Sequence, residues 1–361
     1  MIGLKRLLLT PLAFRPLGRL ARPLLRDAMP VFMLHRFAHP DLGVAGVSPA
    51  NLRASLEYLR GEGFNPVSLA DLAAGHAPPS DGGVPVAFTV DDGYLDFLDI
   101  ALPVFAEFDC PVSVFVSSGV IDGTCWYWWD SLRMMFEQSS CARLDVKLEE
   151  ASLRFDLTDP LQREADLLDL IERLKTVPEA TRLAMLEELT VALDVGLSPI
   201  PPAAFTTMSW EQIRACAKGG IVNFGPHTIT HASLPMTTDS QAKDEILGSW
   251  RRLREECPAA LPVFCYPFGA YSSREIELLR GTDMVGALTT EPCYSSRAPF
   301  SSARMDRQFA VPRFGYPEEP LNFRQIAIGL ERVKMAWTHG RAGWHAKRVA
   351  ELSEPSVARS A

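Results

Sequence analysis

The strongest constraint on the fold of this chain is a repeated alternation of short apolar runs with amphipathic stretches, interrupted once. Runs such as Val84–Val90 and Val112–Ser117 are apolar almost throughout, as strands covered on both faces of a mainly parallel sheet must be. Val31–His35 reads as an earlier strand. Ser48-Pro49 then opens a helix through Leu52, Leu56 and Leu59, stopped by Gly61 and Gly63. A helix from about Asp96 to Phe108 follows the Val84 strand. After Thr207 the alternation resumes. Ser209-Trp210-Glu211-Gln212 has capping-box form and starts a helix ending at Gly219-Gly220. Ile221–Phe224, Pro262–Tyr266 and Met284–Thr289 read as strands, and about Asp239–Glu256 and Ser272–Arg280 as helices. Helical periodicity returns from Leu321 to about Trp337, and the residues after about Gly340 read as weakly ordered. Six or seven such units suit a closed or nearly closed barrel, although period alone leaves an open doubly wound sheet available.

The interruption, from Ile121 to about Thr207, has its own pattern. Leu144, Val146 and Leu148, then Leu153, Phe155 and Leu157, alternate as in two paired strands. Two helices follow, roughly Pro160–Lys175 and Pro178–Leu193. The run Trp126-Tyr127-Trp128-Trp129 at the entrance suits packing of this insertion onto the rest, because large aromatics dominate core burial. A sugar-stacking platform is the second reading of the same four residues.

Composition excludes several classes. With 361 residues, 47% hydrophobic and 22% charged, the chain has material for a sizeable core. A net charge of −8 and the lack of a basic-aromatic module argue against nucleic-acid binding. Seven scattered cysteines form neither a disulfide framework nor a zinc ribbon. No glycine-rich phosphate loop is present, so dinucleotide and nucleoside-triphosphate chemistry drop out. Residues 1–26 carry Lys5, Arg6, Arg15, Arg19, Arg22 and Arg26 among leucines, with no acid. Pro11, Pro16 and Pro23 break the run too often for a signal peptide or membrane span. A basic, Leu-rich arm suits an anionic membrane surface or a loosely packed tail.

Two motifs carry chemistry. The Val84 strand ends in Asp91-Asp92-Gly93, and the strand before Phe224 leads into His227-Thr228-Ile229-Thr230-His231. Adjacent carboxylates beside an apolar strand are costly unless a cation or strong donors compensate. One Asp and two His form a facial triad with open positions, which leaves the second Asp free to act as a base. Each motif alone has an ordinary reading, an Asp-Gly turn or an incidental histidine pair. Both fall at the carboxyl ends of expected strands, where barrel-like folds gather their ligands.

On these residues the chain resembles the polysaccharide deacetylases, the NodB-homology group of carbohydrate esterases. Their Thr-Phe-Asp-Asp-Gly motif is matched by Thr89-Val90-Asp91-Asp92-Gly93, and their His-Ser/Thr-x-x-His motif by His227–His231. The resemblance runs from roughly Pro30 to Phe314, with 121–207 as an insertion. It implies an α/β fold, a distorted (β/α) barrel of about seven strands with an α+β insertion between the two motifs. It also implies a divalent metal (zinc first, with nickel, cobalt, iron or manganese as alternatives) and hydrolysis of N-acetyl, less often O-acetyl, groups on glycans. By position, Asp92, His227 and His231 would hold the metal and Asp91 would be the base. The Tyr266-Pro267-Phe268-Gly269 turn would supply oxyanion donors. The domains are then an arm over 1–29, a catalytic domain over 30–320 and a C-terminal helix and tail over 321–361.

Departures from the family pattern set further expectations. The family's third motif has an Arg two positions before its Pro, where this chain has Cys265. Arg313, in Val311-Pro312-Arg313-Phe314, is the candidate replacement, against an ordinary structural arginine. The late motif bearing the family's catalytic acid is not recognisable. Phe32-Met33-Leu34-His35-Arg36 resembles the opening strand of the branch acting on exopolysaccharides, which makes His35 the candidate acid, against a core or surface histidine. His39 and His76 receive no role. The leading expectation is a metal-dependent sugar N-deacetylase acting on an N-acetylated sugar, glycan or lipid-linked glycan. It would work in the cytoplasm, with peripheral contact to the inner membrane through the arm. Two alternatives stay open: a metal amidohydrolase for a small non-sugar amide, and a glycan-binding scaffold with a decayed site.

Overall fold

The computed structural model describes residues 23–76, 83–148, 151–196, 198, 200–301 and 307–333. Most of the basic arm, the far end of the helix expected to reach Trp337 and the tail after Gly340 lie outside these residues.

The six expected apolar runs become strands of an α/β domain, and two short strands the sequence did not announce bring them to eight. They are β1 (Val31–Leu34), β2 (Phe64–Pro66), β3 (Val84–Asp91), β4 (Val112–Val116), β5 (Val222–Pro226), β6 (Val263–Cys265), β7 (Gly286–Leu288) and β8 (Phe314–Gly315). A parallel sheet runs β8-β1-β3-β4-β5, with β2 pairing the first residues of β3. β6 and β7 pair in parallel beside it. The ring is completed by thin seams. Leu261 N–H donates to Phe224 O at 2.8 Å, and Val311, just before β8, bridges Leu288 of β7. Seven positions round a ring, two of them three-residue strands, make the distorted (β/α) barrel that the resemblance implied, where the alternation alone left an open sheet available.

The local chemistry explains the elements. Every residue of β3 and β4 is buried, which is why these runs show no polar alternation. Ser48, Ser209, Thr238 and Ser272 cap their helices with side-chain oxygens. Phe32 of β1 stacks on Phe88 of β3 and on Phe323 of the helix Pro320–Ala327, at 5.5 and 4.6 Å. That helix breaks after Ala327, and helical structure resumes at Leu330 up to the last described residue, 333. Gly329 takes φ 91°, a conformation that breaks a helix and suits glycine.

Residues within 121–207 form a separate apolar cluster around Leu132, Phe136, Leu144, Phe155, Leu170 and Leu189. A hairpin of Arg143–Leu148 and Ala151–Asp156 is followed by the helices Pro160–Leu174 and Glu179–Ala192. A helix over Trp128–Gln138 begins inside the aromatic run. Tyr127 gives it no side-chain cap, so the sequence carried no start signal for it. The chain returns to the barrel beside the acidic motif. Leu95 N–H donates to Thr206 O and Met208 N–H to Gly93 O, both at 2.9 Å.

Candidate active site

In register, Asp91 of β3 lies opposite Phe115 of β4, and Val116 opposite Pro226 of β5. The carboxyl ends therefore converge, and Asp91, Asp92, His227 and His231 are all buried there. Strain gathers at the same place. Asp92, Thr228, His231 and Phe268 have φ of 74°, 68°, 58° and 57°, four of the six non-glycine residues with positive φ among those described. Left-handed backbone at side-chain-bearing residues clusters at functional sites, where the surroundings hold it in place.

Asp92, His227 and His231 each aim one ligand atom at a common point, all within 4.8 Å of one another. His231 Nε2 is 3.4 Å and His227 Nε2 3.7 Å from Asp92 Oδ1. His227 Nδ1–H donates to Cys265 O at 2.7 Å, which turns Nε2 toward the cluster. Asp92 Oδ1 is buried with no hydrogen-bond partner. Burial, with the charge of Asp91 next to it, pushes the Asp92 carboxyl well above the usual range. Desolvation holds both imidazoles low, His227 at about 4, so they are neutral donors at neutral pH. An orphaned carboxylate oxygen facing two neutral imidazoles fits a divalent cation with nitrogen and oxygen ligands.

Asp91 has a different environment. Wholly buried Arg313 grips it with both ends of its fork, Nη1 to Oδ1 at 2.7 Å and Nη2 to Oδ2 at 2.8 Å. Nε of the same guanidinium donates to Thr289 O at 2.9 Å and Nη1 to Thr89 Oγ1 at 3.0 Å. Burial alone would raise the Asp91 carboxyl, but the charge and hydrogen bonds of Arg313 overcome it and hold the group well below the usual range. Asp91 is thus an ionised acceptor. Cys265 leaves room for this arrangement, its Sγ 3.1 Å from Arg313 Nη2.

His35 sits at the mouth, Nε2 3.8 Å from Asp91 Oδ2, with 44% of its side chain exposed. It is open to an incoming molecule in a way that the buried imidazoles are not. The Tyr266–Gly269 turn is narrower as a donor than the sequence suggested. Tyr266 N–H donates to Leu288 O, Gly269 N–H to Tyr266 O, and Pro267 has no N–H. The remaining amide of this turn is that of Phe268.

Residues of the aromatic run and of the Tyr266–Gly269 turn also reach the metal-site motifs, through contacts the sequence did not specify. Tyr127 O–H donates to the backbone oxygen of Asp92 at 2.6 Å. Trp129 stacks on Tyr127 at 4.6 Å and sets its ring 4.6 Å from His231, edge to face. Phe268 lies equally close to His231 and packs against the insertion's core. The aromatic run therefore splits: Trp128 is buried in the insertion, while Trp129 walls the site. Lys175, also from the insertion, lies 5.5 Å above the Phe268 ring.

Residues 199–287 match the family model described as polysaccharide deacetylase. This segment holds the histidine motif and the Tyr266–Gly269 turn; the acidic motif lies ahead of it, across the insertion. No curated relative matches the sequence. Among solved structures, the deacetylase PplD of Streptococcus pyogenes in complex with acetate shares 14% identity at a TM-score of 0.52, covering 83% of this chain and 98% of its own. IcaB from Ammonifex degensii shares 19% at 0.50, covering 84% and 97%. The putative polysaccharide deacetylase BA0330 from Bacillus anthracis shares 16% at 0.50, covering 84% and 69%. At such identities the structures establish the fold, and the family match agrees with the resemblance read from the motifs.

Proposed function

For a chain whose residues 199–287 match the polysaccharide deacetylase family model, we propose removal of N-acetyl groups from a sugar or polysaccharide precursor as the reaction. One observation carries the reading: a cation-ready cluster of Asp92, His227 and His231 lies beside a second carboxylate, Asp91, kept ionised by Arg313. When bound, a divalent cation, zinc by its match to this donor set, would polarise the acetamide carbonyl and lower the pKa of water at the site. Asp91 accepts the proton as water attacks the carbonyl carbon. The N–H of Phe268 is the donor this turn would offer to the oxygen on which negative charge develops. Desolvation lowers the His35 imidazole from its ordinary value and the Asp91 charge opposes that; in its protonated form His35 gives its proton to the amine nitrogen as the C–N bond breaks, releasing acetate and free amine. Arg313 fixes both oxygens of Asp91, so that the base has one orientation.

An intact clamp on the base is what a decayed scaffold would have no reason to keep. We further place the reaction on an N-acetylated glycan or lipid-linked precursor in the cytoplasm, with the arm as a membrane contact. Among the described residues no helix is long and apolar enough to cross a membrane. Deleting residues 2–26 tests that contact; an unchanged membrane-bound fraction would remove it. The function is tested by acetate release from N-acetylglucosamine oligomers and lipid-linked sugars. Release should be lost with a chelator, restored by zinc and lost in Asp91→Asn. Metal and glycan binding without acetate release across a broad panel would replace the hydrolase by a binding protein, and turnover of small cyclic amides alone would shift the substrate class.

A further inference from the structure

The segment between the two imidazoles is held from opposite sides. On one side Ser118 N–H donates to Thr228 O at 3.1 Å and Gly119 N–H to Ile229 O at 2.9 Å. On the other stands Glu245, half-buried on the helix Asp239–Glu256. Its Oε2 accepts Ile229 N–H at 2.7 Å and Thr230 N–H at 3.0 Å, and its Oε1 accepts the Thr230 hydroxyl at 2.7 Å. Glycines let both supports come close. A Cβ at Gly248 would fall 2.6 Å from Ile229 Cδ1, and one at Gly119 2.9 Å from Ile229 O. The segment needs the support, because Thr228 and His231 both hold left-handed backbone that their own side chains disfavour.

We propose that Glu245 is a positioning residue for the metal site: its carboxylate sets the Thr228–His231 turn in the conformation that aims His231 at Asp92. It touches neither substrate nor metal and acts through the backbone. Charged acceptors make the stronger hydrogen bonds, and three of them converge on two consecutive residues of the turn. The inference rests on the metal reading of Asp92, His227 and His231, and the experiment separates the two.

Zinc affinity of the full-length apo protein is measured by competition with a chromophoric chelator for the wild type, Glu245→Gln, Glu245→Ala and Leu253→Ala. Leu253 is buried on the same helix away from the turn, so its variant reports destabilisation alone. Thermal melts of the apo forms and acetate release as a function of zinc accompany the titrations. Outer-shell supports of metal ligands are worth roughly 10–100-fold in affinity, and that loss is expected for both Glu245 variants, less for Gln. Turnover at saturating zinc should stay within a few-fold of wild type, and Leu253→Ala should lower the melting temperature without changing zinc affinity. Glu245 variants that melt early yet bind zinc like the wild type would overturn the proposal. If Glu245→Ala does not fold, Thr230→Val removes one of the three bonds at near-constant shape. Unchanged affinity in both Thr230→Val and Glu245→Gln would overturn the proposal equally. A wild-type chain that takes up no zinc would instead overturn the metal reading on which it rests.

Discussion

Arg313→Ala is the most demanding test of how the site works. The substitution removes a wholly buried guanidinium and leaves Asp91, 2% exposed, without its two short charge-assisted bonds. Breaking a buried ion pair by removing one partner costs about 3–5 kcal/mol, because the remaining charge is stranded. The sign with pH follows from the direction of the shift. Asp91 is held below the ordinary carboxylate value of about 3.9 in the folded protein, so its contribution to stability is fully present above that value and lost as pH falls through the folded one. In Arg313→Ala the raising effect of burial is no longer opposed by the guanidinium. The carboxyl should move up, and the acid limb of the turnover profile should move to higher pH. Urea denaturation at pH 7 and a pH–rate profile read the two effects. A cycle with Asp91→Asn isolates the pair, because neither charge of the pair remains in the double variant. A coupling near zero together with an unmoved acid limb would show that Arg313 neither stabilises nor tunes the base.

Other substitutions test the remaining roles. Cys265 Sγ lies 3.6 Å from Asp91 Oδ2, so adding Cys265→Arg to Arg313→Ala should recover part of the lost turnover; a double variant no better than the single one would mean that the guanidinium cannot be relocated. His35→Ala should lower turnover roughly 10²–10⁴-fold with zinc content unchanged, and unchanged turnover would remove His35 as the acid. Tyr127→Phe strands the buried backbone oxygen of Asp92 and should cost about 1–3 kcal/mol in urea denaturation, with weaker zinc binding by chelator competition; a fully stable variant would show that the bond carries no load.

How much was legible in the sequence depended on whether the physics was local. The helix Asp239–Glu256 could be read from its polar start and apolar spacing, and the Ser209 capping box marked the next helix upstream. β3 and β4 were visible as unbroken apolar runs. The helix over Trp128–Gln138 was not, because no cap marks its start. The break at Ile328–Gly329 in the helical run after Pro320 was not legible, because Gly329 looks like an ordinary member of a helical pattern until its φ is known. At the site, the same division holds. Asp91, Asp92, His227 and His231 fall in two short motifs, whereas the residues that make them useful arrive through pairings distant in sequence. Arg313 reaches Asp91 because β8 pairs with β1 and β1 with β3, so closure of the barrel, rather than any neighbour in sequence, delivers the guanidinium. Trp129 reaches His231 because the insertion is tied back at Thr206–Met208 to the residues just after the acidic pair. Phe268, in the turn beside His231, packs on that same insertion. The 121–207 segment thus supports one wall of the site, and damage to its own core should be felt at the Tyr266–Gly269 turn before the barrel itself is disturbed.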